Sequence, residues 1–421
     1  MRRSPQRPPS GRRTRLVLTG LAAVALGGAV GLVTSCADRT PTAPASARRT
    51  SDLAPGLTPA LVDRGREIFR FDTFGDEKYW TDTLRMHEVI QGAVSPRAAL
   101  GVGLKVDLDA LPQAVRDAIA AGQVDLDDPA VTVTLLKLDA VVGLRGQVHT
   151  VNGRDSLVRV GVTCALCHST VDDAFAPGIG RRRDGWPNMQ LNPGAIVALS
   201  PAVPAATKAI LNAWGPGKYD PRINMDGLNT PLVLPPAYGL LGVDKETYTA
   251  EGPVSYWNAY VAVTQMHGQG VFIDPRLGVR VVQTPDLVTP KLEALQAYQL
   301  SLVKPPPPPG SYDVAAADRG RALFEGAAGC VSCHAGNTFT DVNAGILHAP
   351  EETGMDPAYA ARTTQKAYRT TPLRGLWQHA PYFHDGSAAT LADVVAHYDR
   401  VRRLGLTDQQ KRDLVEYLKT L

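Results

Sequence analysis

Apolar residues recur at i, i+3 and i+7 in two places: Leu295, Tyr298 and Leu302, and again Leu414, Tyr417 and Leu421. That spacing lays one apolar stripe along a helix. Residues 111–121 carry a further helical pattern. Residues 141–151 and 157–162 alternate instead, on either side of Asn152-Gly153. Asn-Gly between two alternating runs predicts a β-hairpin, and this one runs directly into Cys164. Lys304 is followed by five prolines, Pro305 to Pro309, and Gly310. Such a run favours polyproline II and predicts a stiff spacer between two folded units. Elsewhere the pattern is mainly helical, so the expectation is a mainly α chain with one small hairpin.

The N-terminus has a different texture. Residues 1–15 hold six arginines and no acid, and residues 16–33 form an apolar run of small and aliphatic side chains. A charged stretch followed by an apolar one is the layout of a signal segment. It ends Leu32-Val33-Thr34-Ser35-Cys36, which resembles a bacterial lipobox and implies lipidation of Cys36. An uncleaved anchor and a plain secretory signal are the alternatives, since about 18 apolar residues approach the length of a spanning helix. All three readings put the rest of the chain outside the cytoplasm. Residues 37–58, rich in Pro, Ala, Ser and Thr, read as a flexible tether. Removing residues 1–35 removes six of the 44 Lys and Arg and none of the 41 acids, which turns the formal charge from +3 to −3. There is no basic stripe, and nucleic acid is not an expected partner.

Four of the five cysteines lie in two Cys-x-x-Cys-His pentapeptides, Cys164-Ala-Leu-Cys167-His168 and Cys330-Val-Ser-Cys333-His334. This is the attachment pattern of c-type haem: two thiols add to the vinyl groups of one porphyrin, and the adjacent imidazole reaches its iron. A zinc ribbon would separate its pairs by roughly 15–20 residues, whereas about 160 intervene here. A thioredoxin-type motif would need a βαβ setting, and no such pattern is present. Two covalent haems are expected, with Cys164, Cys167, Cys330 and Cys333 as attachment points and His168 and His334 as proximal ligands.

The chain repeats itself once. Asp63-Arg64-Gly65-Arg66-Glu67-Ile68-Phe69 is matched by Asp318-Arg319-Gly320-Arg321-Ala322-Leu323-Phe324. A haem motif follows in each half. Asn229-Thr230-Pro231-Leu232 then echoes Thr370-Thr371-Pro372-Leu373, and each half closes on the apolar helix described above. Each opening segment resembles the first helix of a cytochrome c domain. The expected fold is therefore two tandem cytochrome c-like domains, residues 59–303 and 312–421, joined by a proline-rich linker at 304–311. The first has about a hundred residues between Gly65 and Cys164, against ten between Gly320 and Cys330. That insertion, with its helix and hairpin, is expected to wrap the first haem or to decorate the surface.

Residues 313–421 carry Thr371-Pro372-Leu373-Arg374-Gly375-Leu376, Ala380-Pro381-Tyr382-Phe383-His384-Asp385-Gly386-Ser387 and Thr390-Leu391. They resemble the C-terminal haem domain of bacterial di-haem cytochrome c peroxidases and MauG-type enzymes. The resemblance implies a sixth iron ligand fourteen residues after His384, at Tyr398, where the peroxidases have methionine and the MauG branch tyrosine. His397 and Met355 are rivals, and an open site is the further alternative. Arg374 is implied as a propionate contact. In the first half the corresponding position falls near Met266 and His267, with His149 on the hairpin as a third candidate. Methionine would raise the potential and tyrosinate lower it. Arg181-Arg182-Arg183 could neutralise propionates or dock an acidic partner, and Trp257 and Trp377 could relay electrons. His384 is read as a support for its loop.

These readings converge on an extracytoplasmic electron carrier with two haems, anchored through lipid at Cys36, exchanging electrons with protein partners. A peroxidase-like oxidoreductase and a haem-based gas-binding module are the alternatives. The resemblance extends to a homodimer.

Overall fold

The computed structural model describes residues 56–421. Cys36 and the signal and tether segments therefore lie outside the described residues, apart from the last three positions of the tether. The chain is mainly α, with 43% helix and 13% strand, the strands forming separate two-stranded sheets. No helix among the described residues is long and apolar enough to cross a membrane.

Each half begins and ends with a helix, and the two helices cross. Pro59–Phe71 opens the first half, with Thr58 accepting the Leu61 N–H and proline in its first turn. Its partner is Leu292–Ser301. In the second half Val314–Glu325, capped by Asp313, crosses Asp408–Thr420, which starts on a capping box of Thr407 and Gln410. A glycine stands at each crossing. A Cβ on Gly65 would collide with the Ala294 carbonyl, and one on Gly320 with the Asp413 carbonyl. Only a residue without a side chain lets the two backbones meet there. One turn further, Phe69 meets Tyr298 edge-on at 5.4 Å and Phe324 meets Tyr417 at 5.3 Å. The repeat in the sequence is thus a repeat of one helix crossing.

The insertion builds a core of its own. Its predicted helix spans Gln113–Ala120. The hairpin pairs Leu144–Val151 with Arg154–Val162, and both turn residues have positive φ, 52° at Asn152 and 74° at Gly153, as a two-residue hairpin turn of this type requires. Leu157 and Val160 face Leu136, Val133 and Leu111. The base of the hairpin folds over the first Cys-x-x-Cys-His. The Thr163 N–H donates to Gly143 O at 3.0 Å, and Gly143 lies flat against the Leu166 backbone.

The two halves are not held apart. Lys304 donates to the Leu421 carbonyl at 3.0 Å and Trp377 to Pro305 O at 3.4 Å, so the start of the proline run lies along the second half. Residues 217–252 of the first half also pack on the second. The Val233 N–H donates to His384 O at 2.8 Å, and the Arg369 N–H to Tyr248 O at 2.9 Å. Arg362 bonds Asp220 at 2.8 Å, and the Tyr359 ring sits 5.4 Å from both the Arg222 and Arg362 guanidinium groups.

Candidate functional site

Each Cys-x-x-Cys-His forms a tight turn that ends by orienting its histidine. The first is a single helical turn, Ala165–His168, fed by the hairpin strand. The second is a short 3-10 turn, Cys330–Ser332. His168 Nδ1 lies 3.1 Å from Pro235 O, and His334 Nδ1 lies 3.1 Å from Phe339 O. A carbonyl can only accept, so Nδ1 carries the proton in both rings and Nε2 is left as a lone-pair donor. That is the tautomer an iron ligand needs. Burial lowers the pKa of both imidazoles, His168 to about 4, so both are neutral at neutral pH.

The four thiols form no disulfide. Burial pushes Cys164 and Cys167 up to about 12 and Cys330 up to about 11. A redox dithiol or a thiolate zinc site lies in surroundings that lower the thiol pKa. The surroundings of Cys164, Cys167 and Cys330 do the opposite, as would suit sulfurs held as neutral thioethers.

Cys330, Cys333 and His334 open on a cavity of about 260 Å³. Its walls are largely aliphatic, with Leu391, Val395, Leu414 and Leu418 from the last two helices. Tyr398 also lines it. Among the described residues its hydroxyl has no hydrogen-bond partner, and burial pushes the phenol up to about 12. His397 is turned elsewhere: Nε2 lies 2.9 Å from Thr353 O and Nδ1 lies 3.3 Å from Arg400 Nη2. Met355 reaches the cavity wall. His384 is engaged by the Tyr368 hydroxyl, 3.1 Å from Nε2, and stacks on that ring. Arg374 lines the cavity, as does Arg369. The site fits a c-type haem: two sulfurs and an oriented imidazole at one end, aliphatic walls, and cationic side chains for the carboxylates.

The first motif sits in a more polar setting. Tyr219 donates to Gln265 Oε1 at 2.8 Å, and burial, then the nearby Cys167, raise its phenol pKa. Its strand, Lys218–Tyr219, pairs with Leu232–Val233 from the Thr-Pro segment. Met266 is buried in the core that packs against Cys164 and Leu166. His267 has φ 63° and stacks on Tyr79 at 3.7 Å. Both neighbourhoods are π-helical turns, Lys78–Thr83 and Val261–Gln265, a distortion common beside functional sites. His149 is exposed near the hairpin turn.

Several residues escaped the sequence reading. The first half supplies a wall of the second cavity through Val233, Pro235, Tyr238, Glu246 and Tyr248. No local pattern announces that contact. Trp186 stands edge-on to Trp377 at 5.6 Å, joining the halves, while Trp257 is buried in the first core. The arginine triplet is only partly free. Arg182 pairs with buried Asp107 at 2.9 Å, and Arg183 lies over Trp186 at 5.7 Å.

With this geometry in view, the family model and the curated relatives show similarity to cytochrome c-type proteins. A family model described as "RoxA-like, cytochrome c-like" matches residues 367–404. The chain is similar, at about 30% identity over a part of its length, to cytochrome-c peroxidase IdrP and MauG proteins of the di-haem cytochrome c family. The chain is 32% identical over 151 residues to the cytochrome-c peroxidase IdrP1 of Denitromonas iodatirespirans, covering 25% of this chain and 40% of that protein. It is 33% identical over 120 residues to the methylamine utilization protein MauG of Methylorubrum extorquens, covering 25% and 34%. The chain thus spans less than half the length of the curated relatives it matches. A solved MauG-like protein associated with microbial copper homeostasis overlaps 33% of this chain and 55% of its own at 23% identity and a TM-score of 0.26.

Proposed function

We propose that the chain is a di-haem c-type cytochrome of two tandem cytochrome c-like modules that transfers single electrons outside the cytoplasm. The observation that carries this reading is the pair of matched histidines, each beside two free thiols and each held by a backbone carbonyl so that Nε2 is free. Bound haem would supply a reversible one-electron Fe(III)/Fe(II) couple. Cys164, Cys167 and His168 would hold one, and Cys330, Cys333 and His334 the other. Tyr398 is the proposed sixth ligand of the second, and Met266 or His267 that of the first. The Trp186–Trp377 contact supports electron passage between them. Donor and acceptor would be redox proteins, the membrane link a lipid on Cys36, and the assembly a homodimer.

A peroxidase-like activity is the second reading. It is favoured by the similarity to cytochrome-c peroxidase IdrP1 and by the polar groups beside the first motif, Tyr219 and Gln265. EPR of the oxidised protein, matured in a host that attaches c-haem, separates the two. Two low-spin ferric signals unchanged by peroxide support the carrier. A high-spin signal consumed by peroxide supports the enzyme.

A further inference from the structure

His348 lies in the wall of the second cavity and serves none of the roles described so far. Its side chain is 9% exposed, and a carboxylate stands at each ring nitrogen. Nε2 lies 3.0 Å from Asp341 Oδ2, and Nδ1 lies 2.9 Å from Glu352 Oε1. An ionised carboxylate only accepts, so each nitrogen carries a proton and the ring is an imidazolium. Burial alone would lower its pKa, but the bonds to Glu352 and Asp341 outweigh burial and raise it. The two ends of this triad differ. The Glu352 side chain is 45% exposed and meets water, whereas that of Asp341 is 7% exposed. Asp341 heads the turn Val342–Ala344 without capping it, and its Oδ1 is buried with no partner among the described residues. A buried carboxylate oxygen without a donor is costly, and a proton on the cluster relieves that cost. Asp341, His348 and the Cys333 sulfur bring their polar atoms within 4.8 Å of one another, so the triad stands beside an attachment point of the second haem. The charged groups that act on His348 are Asp341 and Glu352 and, through space, His334, whose Nδ1 is taken by Phe339 O. Tyr368 bridges His348 through backbone bonds of 2.7 and 2.9 Å, its phenol being turned to Asp356 O and His384.

Resting on the haem reading above, we propose that Glu352, His348 and Asp341 form a proton-exchange site that couples the electron of the second haem to a proton. Reduction by a one-electron donor turns Fe(III) into Fe(II) and removes one positive charge beside the triad. The triad then binds a proton more tightly and takes it from water at Glu352. Oxidation by the electron acceptor returns the proton to water, so one electron and at most one proton move together. The coupling is reciprocal: a protonated triad favours the ferrous state to the same extent. The three groups share the proton and titrate as one unit. The potential is level where the triad is protonated in both redox states. It falls as pH rises between the pKa of the oxidised and that of the reduced protein, then levels again. The two carboxylates place that fall on the alkaline side of the ordinary histidine value of about 6.5.

The test uses the full chain matured with haem, unmutated and carrying His348→Gln or Glu352→Gln. Peptide mass reports haem on the Cys330–Cys333 peptide. Spectroelectrochemistry follows the two one-electron waves from about pH 5 to about 9, on both sides of the histidine range. An indicator dye in weakly buffered solution reports the protons taken up on reduction. The site predicts that one wave falls with pH, and that His348→Gln flattens that wave and abolishes the matching proton uptake. Glu352→Gln, which removes one of the two anions, should move the fall to lower pH. Two waves level with pH in the unmutated chain, or a falling wave that His348→Gln leaves unchanged, overturn the site. If His348→Gln does not mature with haem, Glu352→Gln decides, because its position is at the surface: a fall at the same pH as in the unmutated chain overturns the site. Absence of haem from the Cys330–Cys333 peptide of the unmutated chain overturns the underlying haem reading instead.

Discussion

Arg362 bonds Asp220 at 2.8 Å with both side chains almost wholly excluded from water, 2% and 0% exposed. The pair ties a loop of the second half to the first. Asp226 adds a second carboxylate at 2.7 Å, and the Tyr359 ring covers the guanidinium. Breaking one side of a buried pair strands the other charge, which costs about 3–5 kcal/mol. Asp220→Ala should therefore lower stability by roughly that amount in urea unfolding. An Arg362→Met, Asp220→Leu double variant should recover much of it. A double variant no more stable than Asp220→Ala would show that the pair gives more than neutralised charge.

The two helix crossings predict matched sensitivity. Gly65→Ala and Gly320→Ala each place a methyl against a carbonyl of the facing helix. The helices must separate, and overpacking of this kind costs about 1–3 kcal/mol. Each variant should lower the melting temperature. Because each crossing joins two helices of one half, limited proteolysis should show the loosening confined to the half that carries the change. Unchanged melting for both would mean that the crossings can slide to accommodate a Cβ.

How much of this was legible follows from what is local. The Cys-x-x-Cys-His pairs, the Asn152-Gly153 turn and the apolar stripes at Tyr298 and Tyr417 are statements about neighbours in sequence, and the chain reads them out directly. Gly65 and Gly320 were visible as a repeat, but their reason, a backbone crossing with residues more than 90 positions away, was not. The wall that Val233 to Tyr248 give to the second cavity depends on how two halves dock, and no periodicity encodes that. The proline run shows the same limit. It is stiff, but stiffness does not say whether Lys304 points into solvent or at Leu421.

Asp76 should make stability fall as pH rises. Its carboxyl is fully buried, accepts the Val162 N–H at 3.2 Å, and is pushed up to about 9, first by burial and then by the charge of Glu77. The folded state therefore holds a proton that the unfolded chain releases near its ordinary carboxyl pKa of about 3.9. Where the native state binds more protons, stability declines with pH. The decline runs from about pH 4 to about 9 and then levels. Asp76→Asn cannot lose that proton, so its stability relative to the unmutated protein should rise across the window. A constant difference between the two from pH 5 to pH 8 would place the Asp76 pKa below the window.

Tyr398 and His397 are adjacent on the helix Leu391–Arg402 but face different ways. Tyr398 lines the cavity with its hydroxyl unpartnered among the described residues, whereas His397 is occupied by Thr353 and Arg400. An apolar surrounding that drives the phenol up to about 12 cannot hold a phenolate unless a cation stands in front of it. Ferric iron is such a cation, and it is stabilised more than ferrous iron by a hard anionic ligand. In the haem-loaded protein Tyr398→Phe should therefore change the optical and EPR spectrum of the second haem and raise its potential. His397→Ala should leave both as they were and cost only the stability of its bond to Thr353. If Tyr398→Phe retains the original spectrum and potential while His397→Ala alters them, the helix presents the histidine to the iron instead. If neither variant changes them, the sixth position belongs to another group, and Met355 on the same cavity wall is the next residue to exchange.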